Sequence, residues 1–552
     1  MSPGTTGAQN GLEPTERGVV RKDWRGRISV ALVYPNTYNV GMSSLGFQAV
    51  YGLFNNFEDV VCERVFLPGD GEGRRRLRSI ESNRPLVDFD IIAFSISFEN
   101  DFPNLLTMLG LAGLPLRSSE RPPPTPLVIA GGVTSLLNPE PLAPFVDCFL
   151  IGEAEAILPA FLETFRDVQK RQDLLKALAQ GVPGAYVPSL YRVRYGAQGT
   201  IEAFEPQQGA PDRVRRAFME DLSGWNTCTT VVSSHTAFDD TYLIEAARGC
   251  PYGCRFCAAG FVYRPPRFRP ASQLESCVDK AAASASHIGL VAPDVFDTPG
   301  LESFCTAALA RDLELSFSSL RADLLTSDLA CLLKRSGVKT ITIAPDAGSE
   351  KMRRVINKGI SEQHVLDAVD MAVSAGIANI KLYFMVGLPE ETMDDVEAIV
   401  SLCKKVRHRF VKASRAKAAI GQISVSLNAF VPKPFTPFQW VALDDVKALR
   451  AKIKHVKNAL RRIANLRVHA DLPRWAFIQS LFSRGDRRVG QLLLKGYKNG
   501  WNWPQTFKAS VINPDFFVYR RRRLHERLPW DFIDHGIIKE YLEQEFKKAL
   551  RQ

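Results

Sequence analysis

Three cysteines crowd together in an otherwise cysteine-poor chain: Cys250, Cys254 and Cys257, within the stretch ARGCPYGCRFCAAG. Their spacing is Cys-x3-Cys-x2-Cys, with Phe256 just before the last. Three thiolates from one short loop can ligate three irons of a [4Fe-4S] cube, which leaves the fourth iron without a protein ligand. Such an iron is open to a small chelating molecule. A structural zinc knuckle would need a fourth Cys or His at matching spacing. The nearest histidines, His235 and His287, sit in no ligand-like pair. Three cysteines in a core is the plainer alternative, but a loop rich in Gly and Pro is a poor core segment.

The loop directly follows an apolar strand, and its motif closely resembles the signature of the radical S-adenosylmethionine (SAM) superfamily. That resemblance implies that SAM chelates the open iron through its amino and carboxylate groups. One electron, from an external reductant such as flavodoxin or ferredoxin, then cleaves its C–S bond to a 5′-deoxyadenosyl radical. It also implies SAM contacts at strand ends. Phe256 is one candidate. Ser349 and Glu350, in PDAGSEKMRRVINKG, are candidates for the ribose or amino group, although Glu350 is equally suited to the first turn of a helix. Arg321, in SSLRAD, is a candidate for the SAM carboxylate. In YFMVGLPEET, Gly387 permits close backbone approach and Leu388 flanks the adenine. One departure stands out. Many family members grip the SAM amino group with Gly-Gly-Glu after the second strand, where this chain reads VAPDVFD. Asp294, Asp297 or another residue must take that role.

These residues need a scaffold. From Thr241, strands expected at Tyr242–Ala246, His287–Val291, Leu315–Ser318, Thr340–Ile343, Ile380–Met385 and Gln422–Ala429 alternate with helices, the pattern of a partial or complete α/β barrel. The barrel is placed at residues 236–440, with Pro432–Trp440 as an apolar lip at its mouth. No strand signal persists beyond Pro437, so residues 441–552 read as a helical C-terminal region. Upstream, residues 26–170 alternate buried strands (Ile28–Tyr34, Val60–Phe66, Phe89–Ile96, Leu127–Ala130, Cys148–Ile151) with helices. That pattern predicts a parallel, doubly wound Rossmann-like sheet of flavodoxin type, which binds ligands at its C-terminal edge. A β-hairpin turning at Gly196–Gly199 and a linker fill residues 171–235. Residues 1–25 read as a disordered tail without the basic and apolar segments of a secretion signal.

A Rossmann-like sheet ahead of such a barrel resembles the cobalamin (B12)-binding domain of a large radical SAM subfamily. AFSIS (with Ser95 and Ser97), IAGGVTS (with Gly131 and Gly132) and LIGEAE match loops that line the corrin and its nucleotide tail there. The first loop departs: where the subfamily pattern Asp-x-His-x-x-Gly supplies a lower axial histidine, this chain has Asn36, Tyr38 and Gly41 in NTYNVG. A tyrosine is no imidazole, so either cobalamin binds without a protein ligand or the domain is only a scaffold. The segments VYPNTYNVGMSSLGFQAVY, FVPKPFTPFQW, SRGDRRVG and LPWDFIDHGIIKEYL extend the resemblance over roughly residues 26–545, to radical SAM proteins with a B12-binding-type N-terminus.

The whole chain, 552 residues, is long enough for two to four domains at about 100–200 residues each. It has no apolar run of the ~18–20 residues that span a bilayer. The scattered cysteines, among them Cys62 and Cys403, fit buried thiols of a reducing, cytoplasmic compartment. Lys and Arg number 70 against 59 Asp and Glu, a net charge of +11 concentrated at Lys404–Lys417, Lys452–Arg467 and Arg520–Arg523. The excess fits either solvated helix faces or an anionic partner such as RNA.

Three functions compete. The first is cobalamin-dependent methyl transfer to a carbon centre. The second is cobalamin-independent modification of RNA or another anionic macromolecule. The third is a non-catalytic Fe–S redox or scaffold protein. Methylthiolation is disfavoured, because the N-terminal domain offers only Cys62 and Cys148 for a second cluster. Tyr263 and the loop Asp486–Arg488 are candidate donors to a product radical.

Overall fold

Buried strands alternating with amphipathic helices build a six-stranded N-terminal sheet and three- and four-stranded barrel sheets, and the six- and three-stranded sheets meet at the C-terminal ends of their strands around one cavity. The computed structural model describes residues 15–69, 77–238, 240–318, 320–414 and 421–551. The N-terminal sheet has six strands in the order Val60–Phe66, Ile28–Tyr34, Ile91–Ser95, Leu127–Gly131, Cys148–Leu150, Ala185–Tyr186. Its neighbours are parallel except the last pair. The Val60–Phe66 strand is buried along its whole length, as a sheet covered on both faces requires. Helices Leu45–Asn56, Phe102–Leu111 and Ala154–Asp167 supply the cover.

The barrel is built in two runs of parallel strands. Thr241–Glu245, His287–Val291 and Glu314–Phe317 form the first. Thr340–Asp346, Asn379–Val386, Ile423–Ala429 and Leu466–Ala470 form the second. A parallel bridge between Leu320 and Ile343 joins them. The fourth strand of the second run corrects the expectation that residues beyond Pro437 carry no strand. Leu466–Ala470 alternates buried Leu466 and half-buried Val468 and Ala470 with exposed Arg467 and His469. Five residues of half-polar alternation at a sheet edge give a weak signal beside a strongly basic helix.

Two other expectations change. Residues 1–14 lie outside the described residues, but Glu16–Arg17, assigned to the tail, pair antiparallel with Ser233 and Val232. Glu16 also takes both terminal nitrogens of the buried Arg64 at 2.7 and 2.8 Å. Segment Pro432–Trp440 is no lip. Phe438 and Trp440 are fully buried, and Trp440 packs on Phe546 of the C-terminal helix. Lys433 pairs with Glu99 of the N-terminal domain, and Ser483 donates to the Pro432 carbonyl at 3.1 Å. The segment is a joint among three parts of the chain. The hairpin is present as Tyr191–Tyr195 against Ile201–Pro206.

Candidate functional site

The loop after the first barrel strand presents the three cysteines. Cys254 is buried, and Cys250 and Cys257 are half-buried. Backbone amides point at two of the sulfurs, Tyr252 N–H at Cys250 and those of Gly260 and Ala259 at Cys257. Amide N–H groups aimed at sulfur stabilise the thiolate and tune an Fe–S cluster. Burial pushes all three thiols up, Cys254 to about 12. The positive charges of Lys358 and Arg321 oppose that rise at Cys254. Ligation needs the thiolate, so these cations and amides favour the metal-bound state. Among the described residues, no three His, Cys, Asp or Glu side chains converge on a single ion. A cube, three of whose irons each take one thiolate, asks for no such convergence. The donor set fits a [4Fe-4S] cluster.

The loop is pinned from several sides. Asn357 donates to the Gly253 carbonyl at 2.9 Å. Arg255 donates to the carbonyls of Arg354 and Val355, at 2.8 and 2.9 Å, and pairs with Glu545 of the C-terminal helix at 3.0 Å. Arg321 lies over the Tyr252 ring, 3.8 Å from its centre. At the end of the fourth strand, Asp346 pairs with Lys358 at 2.6 Å. Sequence reasoning passed over this pair, although PDAG and NKG lie in a stretch already singled out.

The other SAM candidates separate. Arg321 reaches the cluster loop. Ser349 caps its helix by accepting from Met352 N–H and donates to Asp395 at 2.7 Å. Glu350, exposed, accepts from Glu362 N–H at 3.1 Å. These two serve helix ends. Gly387 has a φ of +82° and gives its N–H to Glu391 at 2.7 Å. Leu388 is buried and Phe256 half-buried against the core.

Beside the cluster loop opens a cavity of about 840 Å³. Ser95, Ser97, Gly131, Gly132 and Gly152 line it from the C-terminal edge of the N-terminal sheet. Arg248, Gly249, Tyr263 and Ala292 line it from the barrel. Gly132 has a φ of +97°, and a Cβ there would sit 2.6 Å from the Ile96 carbonyl oxygen. A Cβ on Gly46, also in the wall, would meet nothing within 4 Å. The loop carrying Asn36, Tyr38 and Gly41 does not line the cavity. The Tyr38 hydroxyl is bound to Glu16 and Ser233, each at 2.7 Å, and Asn36 donates to Asp101 at 2.9 Å. A Cβ on Gly41 would strike the Phe66 ring. Among the described lining residues there is no histidine.

Ion pairs key the two sheets together at the cavity rim. Arg248, two residues before Cys250, reaches Glu153 (2.8 Å), Glu155 (3.0 Å) and Glu245 (2.8 Å). Arg267 takes the other oxygen of Glu153 at 2.7 Å, and Arg269 pairs with Glu245 at 2.7 Å. Burial alone would raise the Glu153 carboxyl. The hydrogen bond from Arg267 and the charges of Arg248 and Arg267 override it and hold the group below its ordinary range.

Of the remaining candidates, Tyr263 lines the cavity, whereas Asp486 and Arg488 pair with each other at 2.6 Å and Arg488 donates to Gly199 of the hairpin at 2.7 Å. The basic run near the C-terminus divides, with Arg521 and Arg523 exposed and the others engaged inside. Arg520 pairs with Glu526 at 2.6 Å, and Arg522 and Arg484 are buried. No helix among the described residues is long and apolar enough to cross a membrane.

Known proteins resemble this chain in sequence over most of its length. A family model described as radical SAM proteins, N-terminal, matches residues 46–188. The model of the radical SAM superfamily matches residues 244–403. An uncharacterized protein of Methanocaldococcus jannaschii is 30% identical over 470 residues, 84% of this chain and 90% of the relative. An uncharacterized methyltransferase of Pyrococcus horikoshii is 26% identical over 171 residues, 30% of this chain and 37% of the relative. Among solved structures, the radical SAM methyltransferase TsrM from Kitasatospora setae, with cobalamin and a [4Fe-4S] cluster bound, gives a TM-score of 0.48 at 14% identity, covering 73% of this chain and 75% of that one.

Proposed function

The chain belongs to the radical SAM superfamily, and from that premise we propose that it is a cobalamin-dependent radical SAM enzyme that transfers a methyl group to a carbon centre. The observation that carries the reading is the cavity of about 840 Å³ shared by the N-terminal sheet and the cluster loop. Its volume lies near the upper end of the ~300–1,000 Å³ of ligand sites. It lies where an open parallel sheet takes ligands, outside the carboxyl ends of its strands. The match to an archaeal methyltransferase supports the direction of the chemistry.

The residues fit a corrinoid held without a protein lower ligand. Gly46 leaves open space, the glycines at 131 and 132 let backbone approach, and Ser95 and Ser97 offer hydroxyls. When bound, the cluster and SAM supply a deoxyadenosyl radical and the corrinoid a transferable methyl group. The chain does the rest. With the cluster bound the three cysteines would ligate it as thiolates, and the loop amides and the charges of Lys358 and Arg321 oppose the rise that burial imposes on Cys250, Cys254 and Cys257. Arg248 locks the cluster strand against Glu153 and Glu155, which fixes the distance between cluster and cavity. The apolar wall, with Tyr263, keeps water from a reactive radical. The alternative, modification of RNA or another anionic macromolecule, keeps the exposed Lys404, Lys405, Lys454, Lys457, Arg461 and Arg462, while Arg520 and Arg522 serve internal contacts.

Loading decides the matter. Protein reconstituted with iron and sulfide, incubated with hydroxocobalamin and desalted, should retain about one corrinoid per chain. Retention of none would remove cobalamin from the account and leave a radical SAM enzyme of another kind.

A further inference from the structure

Away from the cluster loop, two thiols meet at the cavity wall. Cys228 Sγ and Cys277 Sγ are 3.9 Å apart, although 49 positions separate them in the chain. Backbone hydrogen bonds fix Cys228 against the first barrel strand: Thr229 N–H donates to the Leu243 carbonyl and Glu245 N–H to the Thr227 carbonyl, each at 2.9 Å. Cys277 belongs to the helix Ala271–Ala282, whose Leu274, Val278 and Ala281 are buried with it. The two thiols differ in access. Cys228 is half-buried and lines the cavity of about 840 Å³, whereas Cys277 is 1% exposed and does not line it.

The surroundings favour chemistry at Cys228. The hydrogen bond from Cys277 lowers the Cys228 thiol most, and burial opposes it. A hydrogen bond from Tyr242, another residue of the cavity wall, and the charges of Lys280 and Arg269 add to the lowering. The same contact with Cys228, together with burial, pushes the Cys277 thiol up. In thiol–disulfide exchange the thiolate is the nucleophile, and access decides which thiol is attacked or attacks first. The two sulfurs, already in contact, come to the bonding distance of about 2.0 Å by side-chain rotation.

We propose that Cys228 and Cys277 are a redox-active dithiol, oxidised to an intramolecular disulfide by a small organic disulfide that enters the cavity. The Cys228 thiolate attacks one sulfur of that molecule. Its S–S bond breaks, and one half leaves as a thiolate that takes up the proton Cys228 has lost. Cys277 then attacks the Cys228 sulfur, and its proton goes to the second half as that leaves. Two protein thiols are oxidised, one small disulfide is reduced to two thiols, and no further oxidant is needed. The new bond ties the cavity wall at residues 226–230 to the helix Ala271–Ala282 and closes a loop that contains all three cluster cysteines. The corrinoid takes no part in it.

The test treats cluster-loaded protein, without corrinoid, with bis(2-hydroxyethyl) disulfide under anaerobic conditions and maps the cysteines by peptide mass spectrometry. Constant iron content confirms that the cluster cysteines are not the ones oxidised, and the thermal midpoint confirms that each variant is folded. Wild type should yield the Cys228 and Cys277 peptides joined, two hydrogens lighter than their sum, and dithiothreitol should separate them. The exposed Cys331 should carry only a mixed disulfide, which shows that the reagent is active. Cys277→Ser should stop at a mixed disulfide on Cys228, and Cys228→Ser should leave Cys277 unmodified. Wild type in which Cys331 reacts while Cys228 and Cys277 stay reduced, or in which Cys228 holds only the adduct, would overturn the proposal. An adduct on Cys277 in Cys228→Ser would overturn the assigned order of attack.

Discussion

At the scale of single residues, the three cysteines were legible at once because their spacing is itself the chemistry. Replacing any of Cys250, Cys254 or Cys257 by Ala should leave reconstituted protein without a stable [4Fe-4S] cluster, read by iron analysis and the loss of visible absorption. The supporting residues were less legible. Ser349 and Glu350 are implied as SAM contacts by the resemblance, and a Ser followed by an acidic residue ahead of an apolar run is equally how a helix starts. The structure uses both at helix ends. The Asp346–Lys358 pair was missed because its partners lie 12 residues apart and meet only when the strand and helix fold together. Asp346 is buried, and without its lysine it would carry an uncompensated charge. Lys358→Met should destabilise the protein by about 3 kcal/mol, seen as a lower thermal midpoint, with Asp346→Asn in the same background restoring part of it.

At the scale of elements, strands buried on both faces were read well, because continuous apolar runs bounded by turns admit few other interpretations. The edge strand Leu466–Ala470 and the pair at Glu16–Arg17 were not, since short half-polar segments owe their conformation to a neighbour. The same holds for Pro432–Trp440, whose aromatic and proline content fits a lip as well as a buried joint. The rim network yields a pH prediction. Glu153 and Glu245 are both held below their ordinary range by arginines despite burial. Such groups stabilise the fold above the unfolded carboxyl value, about 4.3, and that contribution is lost as pH falls through the folded value. The thermal midpoint of wild type should therefore exceed that of Glu153→Gln at neutral pH, and the gap should narrow below about pH 4. A gap independent of pH would show that packing, not charge, joins the sheets. Arg248→Ala should also speed proteolysis in the linker at residues 207–231.

At the scale of the whole molecule, the proposed function rests on a cavity that no single motif reveals. Its walls come from Gly46, Ser95, Gly132, Gly152, Gly249 and Ala292, spread over both sheets. The sequence signalled the sheet's glycine loops and the cluster loop separately, and only docking places them around one space. The axial loop shows the converse: Asn36 and Tyr38 sit where a family pattern has ligands, yet their side chains bind Asp101, Glu16 and Ser233. Because a side chain at Gly46 would enter open space, Gly46→Trp should alter stability by no more than about 0.5 kcal/mol and still abolish corrinoid retention. Normal retention in that variant would place the corrinoid elsewhere.

The central claim is that the cysteine loop builds a cluster that cleaves SAM. The most direct measurement is mass spectrometry of 5′-deoxyadenosine after mixing reconstituted wild-type protein with SAM and a one-electron reductant under anaerobic conditions. Time-dependent 5′-deoxyadenosine from wild type, and none from Cys254→Ala, is the predicted result. A wild-type protein that carries the cluster, binds SAM and yet leaves it whole under reduction would contradict the account.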